Sequence, residues 1–188
     1  MAATPAAATV PGAAPEPLIR RATSADAEAL GYIGPAAYAA VYSYMWDDST
    51  AFARQLATFS AAAFRDLLAR ADVRGWIAEI GSEPVGFLTM ILNSPNPVDA
   101  APNGAEIPRI YLLAGSGRSG LGRRMMDEAL AAARAKGLDH VWLAVKGSAE
   151  HAQAAYLKWG FELHGMVQTK KPVKAGYEAL HIMTRRLG

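Results

Sequence analysis

The amino-acid sequence predicts one α/β (α+β) domain, on three observations. Two strand-like runs meet across a short turn, a glycine-rich turn leads straight into a helix of strong apolar periodicity, and strands and helices then alternate to the end of the chain. With 188 residues, 52% of them hydrophobic, the chain is long enough to bury one core and too short for two ordinary domains. Residues 1–16 are Ala/Pro-rich with almost no large apolar side chains, so they are expected to form a disordered tail, and residues 17–188 the single domain.

Residues 18–21 read as a short strand. Ser24 then precedes Ala25-Asp26-Ala27-Glu28, an N-cap followed by acids suited to the positive end of a helix. Residues 24–70 read as mostly helical, with interruptions expected at Gly34-Pro35 and Asp47-Asp48. Residues 74–80 and 85–92 flank the turn formers Gly81-Ser82-Glu83-Pro84 and make a hairpin. After a Pro/Asn-rich loop, residues 106–113 form a strand that runs into the glycine-rich turn. Leu121, Met125, Met126, Ala129, Leu130 and Ala133 recur at helical spacing behind it, and Gly137 fits just past the helix end. His140–Lys146 is the next strand, residues 148–159 a helix closed by Gly160, and residues 161–168 and Ala179–Arg186 the last two strands.

Composition removes several function classes. The 19 basic and 17 acidic side chains nearly cancel, to +2, and no dense Lys/Arg run marks a nucleic-acid or anionic-membrane binder. There is no cysteine, so disulfides, thiolate metal sites and a Cys nucleophile are all excluded. No run approaches the roughly 18 apolar residues of a membrane helix, and the start lacks the features of a signal peptide, so the expected location is cytoplasmic. The four histidines, His140, His151, His164 and His181, show no paired ligand spacing, and no metal is expected.

The turn Gly115-Ser116-Gly117-Arg118-Ser119-Gly120-Leu121-Gly122 lies between a buried strand and a helix. Glycines let several backbone N–H groups approach a ligand at the positive end of the helix dipole, which suits a pyrophosphate; the alternative is a tight connection with no ligand. The spacing is neither that of a P-loop nor the dinucleotide fingerprint in register.

Residues 106–122, with Ala152-x-x-x-Tyr156-x-Lys158-x-Gly160-Phe161 some thirty residues on, resemble the GNAT acetyltransferase family. The first stretch is similar to that family's acetyl-CoA motif, with Gly120 and Gly122 in its glycine places; the likeness runs from Leu18 to the end and is strongest to the polyamine-acetylating PaiA type. It implies a central mixed, mostly antiparallel twisted sheet of about seven strands flanked by helices, with splayed central strands. It also implies acetyl-CoA as cosubstrate, bound by Tyr111, Leu112, Leu113, Gly117, Arg118, Ser119, Gly120, Leu121, Gly122 and Arg123. Two departures stand out: Gly117 replaces the usual Arg or Gln, and Ala149 replaces an Asn that often opens the second helix. Pro108 is also unusual, since proline cannot donate to a central ladder; it suits a strand start or a bulge, and the family's corresponding strand carries a bulge.

Aminolysis of a thioester needs a deprotonated amine, a polarised carbonyl and a proton for the departing thiolate. The resemblance puts Tyr156 in the general-acid place and Glu106 in the place of a base; alternatively Tyr156 packs in the core and Glu106 is a solvated strand-end carboxylate. The acetyl carbonyl would meet a backbone N–H near Tyr111 or Leu112. The acceptor pocket is expected from residues 32–57, where Tyr38, Tyr42, Tyr44, Trp46 and Phe52 precede Asp47-Asp48, a set that suits a cationic amine or polyamine as well as plain core packing. The expectation is acetyl transfer to a primary amine of a small molecule in a ternary complex. The rivals are a non-catalytic acyl-CoA-binding module and a protein N-acetyltransferase. Oligomeric state stays open, homodimers being common in folds of this kind.

Overall fold

The computed structural model describes residues 16–116 and 119–188. The expected disordered tail therefore lies, apart from Glu16, outside the described residues, as do Gly117 and Arg118. Seven strands, β1 (Pro17–Arg21), β2 (Val73–Ile80), β3 (Glu83–Leu92), β4 (Gly104–Leu112), β5 (His140–Lys146), β6 (Glu162–Gln168) and β7 (Ala179–Arg186), form one sheet in the order β1-β2-β3-β4-β5-β7-β6. All neighbours are antiparallel except β4 and β5, which are parallel. The mixed, mostly antiparallel architecture is the one expected.

Helices α1 (Ala27–Tyr42), α2 (Ser49–Ala57) and α3 (Ala61–Ala69) cover one face, and α4 (Leu121–Ala135) and α5 (Glu150–Lys158) the other. The six apolar residues read as a stripe on α4 are all buried, against Leu88, Met90, Val141 and Leu143 of the sheet. Burying each of the two leucines and two methionines among them contributes about 1.5–3 kcal/mol, which outweighs the weak intrinsic preference of one amphipathic helix.

Two local expectations are corrected. The first helix cap falls on Thr23 rather than Ser24: the Thr23 amide donates to the Asp26 carboxylate at 2.8 Å, and Arg20 ties that carboxylate to Glu79. More importantly, α1 runs unbroken through Gly34-Pro35. The small residues there serve contact instead: a Cβ on Gly31 would lie 2.9 Å from the Ala61 nitrogen, and one on Gly34 would lie 2.6 Å from the Phe59 ring. Close packing of α1 on the α2–α3 segment thus outweighs the local cost of the proline. The break at Asp47-Asp48 does occur, because the Asp48 carboxylate accepts from the amides of Thr50 (2.7 Å) and Ala51 (3.2 Å) and starts α2. A further break comes at Ser60, whose hydroxyl accepts from Ala63 and starts α3.

The central strands part. Only Gly104, Ala105 and Glu106 pair with β5, opposite His140, Val141 and Trp142. Beyond that point β5 stays with β7 along its whole length, from His140↔Arg186 to Lys146↔Leu180, and leaves β4 behind. β4 meanwhile carries a bulge: Arg109 faces Thr89 but Glu106 faces Ile91, so one extra residue is accommodated around Pro108. A proline without an N–H is tolerated at an interrupted ladder. The bulge also changes the phase of the strand. Ala105 and Ile107 point into the α4 core, whereas after the bulge Ile110 and Leu112 do so and Tyr111 and Leu113 face the α1 side.

Candidate active site

Two cavities meet where β4 and β5 separate. One of about 540 Å³ lies toward α5 and is lined by Ile110, Tyr111, Leu112, Ser148, Ala149, Ala152 and Tyr156, with Tyr42 and Tyr44 at its rim. The other, of about 380 Å³, is lined by Glu106–Tyr111 on β4, Leu143–Lys146 on β5, Gln55, Thr58, Thr169 and Lys171, and again by Tyr42 and Tyr156. A third cavity of about 540 Å³, around Asp99, His140, His164 and Arg185, sits at the paired end of the strands, away from the splay.

Tyr156 lines both of the first two cavities, together with Tyr42, Ile110 and Tyr111. Its ring is held at 5.6 Å from Trp159 and 5.9 Å from Phe161, both edge-on, so the packing and the opening onto the cleft coexist. Burial, and then the nearby Tyr42, raise its pKa, so the hydroxyl stays protonated at neutral pH. Glu106, in the last residue pair before the splay, accepts from the Ser94 hydroxyl at 3.2 Å. Burial raises its pKa above the usual carboxylate range, against the opposing pulls of Ser94 and Arg109.

On β4 the Leu113 amide donates to Val85 at 2.8 Å. The alternation of an antiparallel ladder therefore turns the Tyr111 amide toward β3 and those of Ile110 and Leu112 toward the gap that β5 leaves. Of the two carbonyl-binding amides expected, Leu112 is thus the one facing the cleft.

In the described part of the glycine-rich turn, the Ser116 amide donates to the Leu113 carbonyl and the Ser119 amide to the Ser116 carbonyl. Gly120 caps α4 at φ 73°, a left-handed conformation that favours glycine, and a Cβ there would meet nothing within 4 Å. The first backbone bond of the helix is Arg124 N–H to Gly120 O at 3.0 Å, so the amides of Leu121, Gly122 and Arg123 have no partner of their own within the helix. Donors at a helix start are of the kind that suit an anion. The side chains of Arg123 and Arg124 are engaged elsewhere, with Asp127 (2.9 Å) and the Pro17 carbonyl (3.0 Å).

This geometry can be set beside known proteins. The model of the Acetyltransferase (GNAT) family matches residues 38–161. The chain belongs to the GNAT acetyltransferase family. A probable N-acetyltransferase of Mycobacterium tuberculosis is 33% identical over 107 residues, 57% of this GNAT chain and 56% of that relative's length. Among solved structures, the PaiA N-acetyltransferase of Thermoplasma acidophilum, in complex with coenzyme A, superposes with a TM-score of 0.73 at 19% identity, covering 91% of this chain and 99% of that one. The ribosomal-protein-S18-alanine N-acetyltransferase of Escherichia coli gives 0.69 at 18% identity, covering 92% and 95%. At such identities these likenesses speak for the GNAT fold.

Other residues of this GNAT domain lie where sequence reasoning did not place them. Arg109 lines the smaller cavity, its guanidinium 5.0 Å and 5.2 Å from the Phe59 and Phe64 ring centroids and donating to Thr58 O at 3.0 Å. Lys146 and Lys171 line it too, and the Lys171 ammonium donates to Gln55 Oε1 at 2.6 Å. Conversely, the acids expected in the acceptor pocket point elsewhere. Asp48 caps α2, and Asp47 lies 3.6 Å from Lys174. Trp46 and Phe52 join the core, Tyr38 and Tyr42 do line the cavity, and Tyr44 bonds Ser148 at 2.9 Å. Among the histidines, His164 meets Asp99 and His181 meets Gln153, each at 2.8 Å. Among the described residues no group of three or more carboxylates and histidines is placed to hold a metal, and no helix is long and apolar enough to cross a membrane.

Proposed function

We propose that this protein transfers the acetyl group of acetyl-CoA to a primary amine of a small molecule by direct attack in a ternary complex. The observation that carries this reading is the position of Tyr156, on the wall shared by the two cavities at the point where the sheet opens. The coenzyme supplies the activated thioester. The amides of Leu121, Gly122 and Arg123 hold its phosphates, the larger cavity takes its arm along Ile110 and Leu112, and the Leu112 amide polarises the carbonyl. The amine enters from the α1 side of the sheet, where Glu106 accepts its proton and Tyr156 donates one to the sulfur as it leaves. Since the chain lacks cysteine, no acyl-thiol enzyme is needed or available. Thiol release from acetyl-CoA on an amine panel tests the reading; tight coenzyme binding with no turnover would instead make this a binding module.

Glu106 has a distinct signature in pH. A free carboxylate base makes kcat/KM rise with pH through its own pKa, and because burial raises that value the rise should lie above the ordinary glutamate range. In Glu106→Gln this limb should vanish and the profile should move toward alkali, where the amine is already neutral. Overlaying profiles for the two proteins would assign the proton to solvent or another group.

A further inference from the structure

The smaller cavity has a charge pattern that an ordinary or polycationic amine does not explain. Three cations line it, Arg109, Lys146 and Lys171, and among the described lining residues Glu106 is the single carboxylate. Arg109 is accounted for: it stacks on Phe59 and Phe64, bonds Thr58 O, and interacts with the Glu106 charge. The two lysines are not. Among the described residues the Lys171 ammonium meets the neutral Gln55 amide and no carboxylate, and Lys146 stands at the end of β5 on the face opposite the Val141, Leu143 and Val145 core side chains. Burial, and then the neighbouring Lys171 charge, push Lys146 down to about 8, so the cluster strains against its own repulsion. An anion placed between the lysines would offset both the burial and the repulsion.

We propose that the acceptor is a small primary amine that also carries a carboxylate or phosphate, with Lys146 and Lys171 holding the anion while Glu106 receives the amine. The proposal rests on the acetyl-transfer reading above and adds the class of acceptor. Lys146, Lys171 and Glu106 all line the same cavity, so one small molecule can meet both charges. A cavity of about 380 Å³ is in the size range of a small-molecule site. A polyamine would put a second ammonium against the two lysines.

The test compares thiol release from acetyl-CoA with β-alanine, 4-aminobutyrate and 6-aminohexanoate, each against its carboxamide. O-phosphoethanolamine is run against ethanolamine, with spermidine as the polycation and calorimetric titration of coenzyme A in parallel. At least one anionic acceptor should exceed its neutral partner by about tenfold or more in kcat/KM, the effect of a hydrogen bond between charged groups. Lys146→Met and Lys171→Gln should shrink that ratio toward one, and Lys146→Arg should keep most of it. Whether the carboxylates or the phosphate win identifies the anion, and either supports the class. Preference for spermidine or for the carboxamides over every anionic acceptor would overturn it. So would equal losses on charged and neutral acceptors in Lys146→Met, which would make that lysine a proton carrier or a structural residue. If coenzyme A binds and no amine is acetylated, the transfer reading itself falls, and the acceptor class with it.

Discussion

Tyr156→Phe should lower kcat by about 10²-fold or more while leaving the Kd for acetyl-CoA near that of the parent, the loss general acids typically account for. The substitution is conservative because the ring does the packing and phenylalanine keeps it. The contacts with Trp159 and Phe161 are made by the ring and survive in phenylalanine. Stability should therefore change little, and a thermal melt run beside the kinetics separates chemistry from folding. A variant with kcat like the parent would reduce Tyr156 to a packing residue and leave the departing sulfur to be protonated by solvent.

Gly120→Val should weaken coenzyme A by about 10- to 100-fold, the worth of one or two hydrogen bonds to a charged group. A β-branched residue at φ 73° is strained by roughly 1–2 kcal/mol, and it would stand beside the first amides of α4, which have no acceptor within the helix. The acyl group should make no difference, because the loss is at the phosphates. Gly122→Val is a different experiment: its Cβ would stand 3.3 Å from the Trp159 ring and 3.5 Å from Leu112, so overpacking of about 1–3 kcal/mol accompanies any loss of binding. Calorimetric titration of each variant, with circular dichroism to confirm folding, reads both effects. A folded Gly120→Val protein that binds coenzyme A as tightly as the parent would place the phosphates elsewhere, and the cosubstrate assignment would fall.

Where local chemistry decides, the sequence was legible. The α4 stripe, the β2–β3 hairpin and the Asp47-Asp48 break follow from side-chain periodicity, turn residues and a capping carboxylate within a few positions of one another. The start of α4 after the glycine-rich turn likewise leaves its first amides without acceptors inside the helix, as at any helix start. What was illegible depends on distant segments. Pro35 announces a break that the press of Phe59 and Ala61 on α1 does not permit. Asp47 and Asp48 are adjacent to the aromatic stretch in sequence, but one caps a helix and the other meets Lys174. Arg109 reaches Phe59 and Phe64 because the bulge at Pro108 changes the strand's phase, and regular alternation from Ile107 would have put it on the other face. Lys146 and Lys171 meet because β7 lies between β5 and β6, an order that neither residue's surroundings disclose.

The short pairing of β4 with β5 has a mechanical consequence. Three residue pairs are the seam between two plates, β1-β2-β3-β4 on one side and β5-β7-β6 on the other, and a seam so short is the part of the sheet least resistant to opening. A coenzyme arm laid along Ile110 and Leu112 would add rungs where the protein has none and clamp the plates at one separation. The wall bearing Glu106 and the wall bearing Lys146 belong to different plates, so clamping also fixes the span that the amine must bridge. Loading the donor first would then be a condition for measuring the acceptor correctly, which makes an ordered addition of substrates, coenzyme before amine, the kinetic expression of a sheet that is only partly zipped.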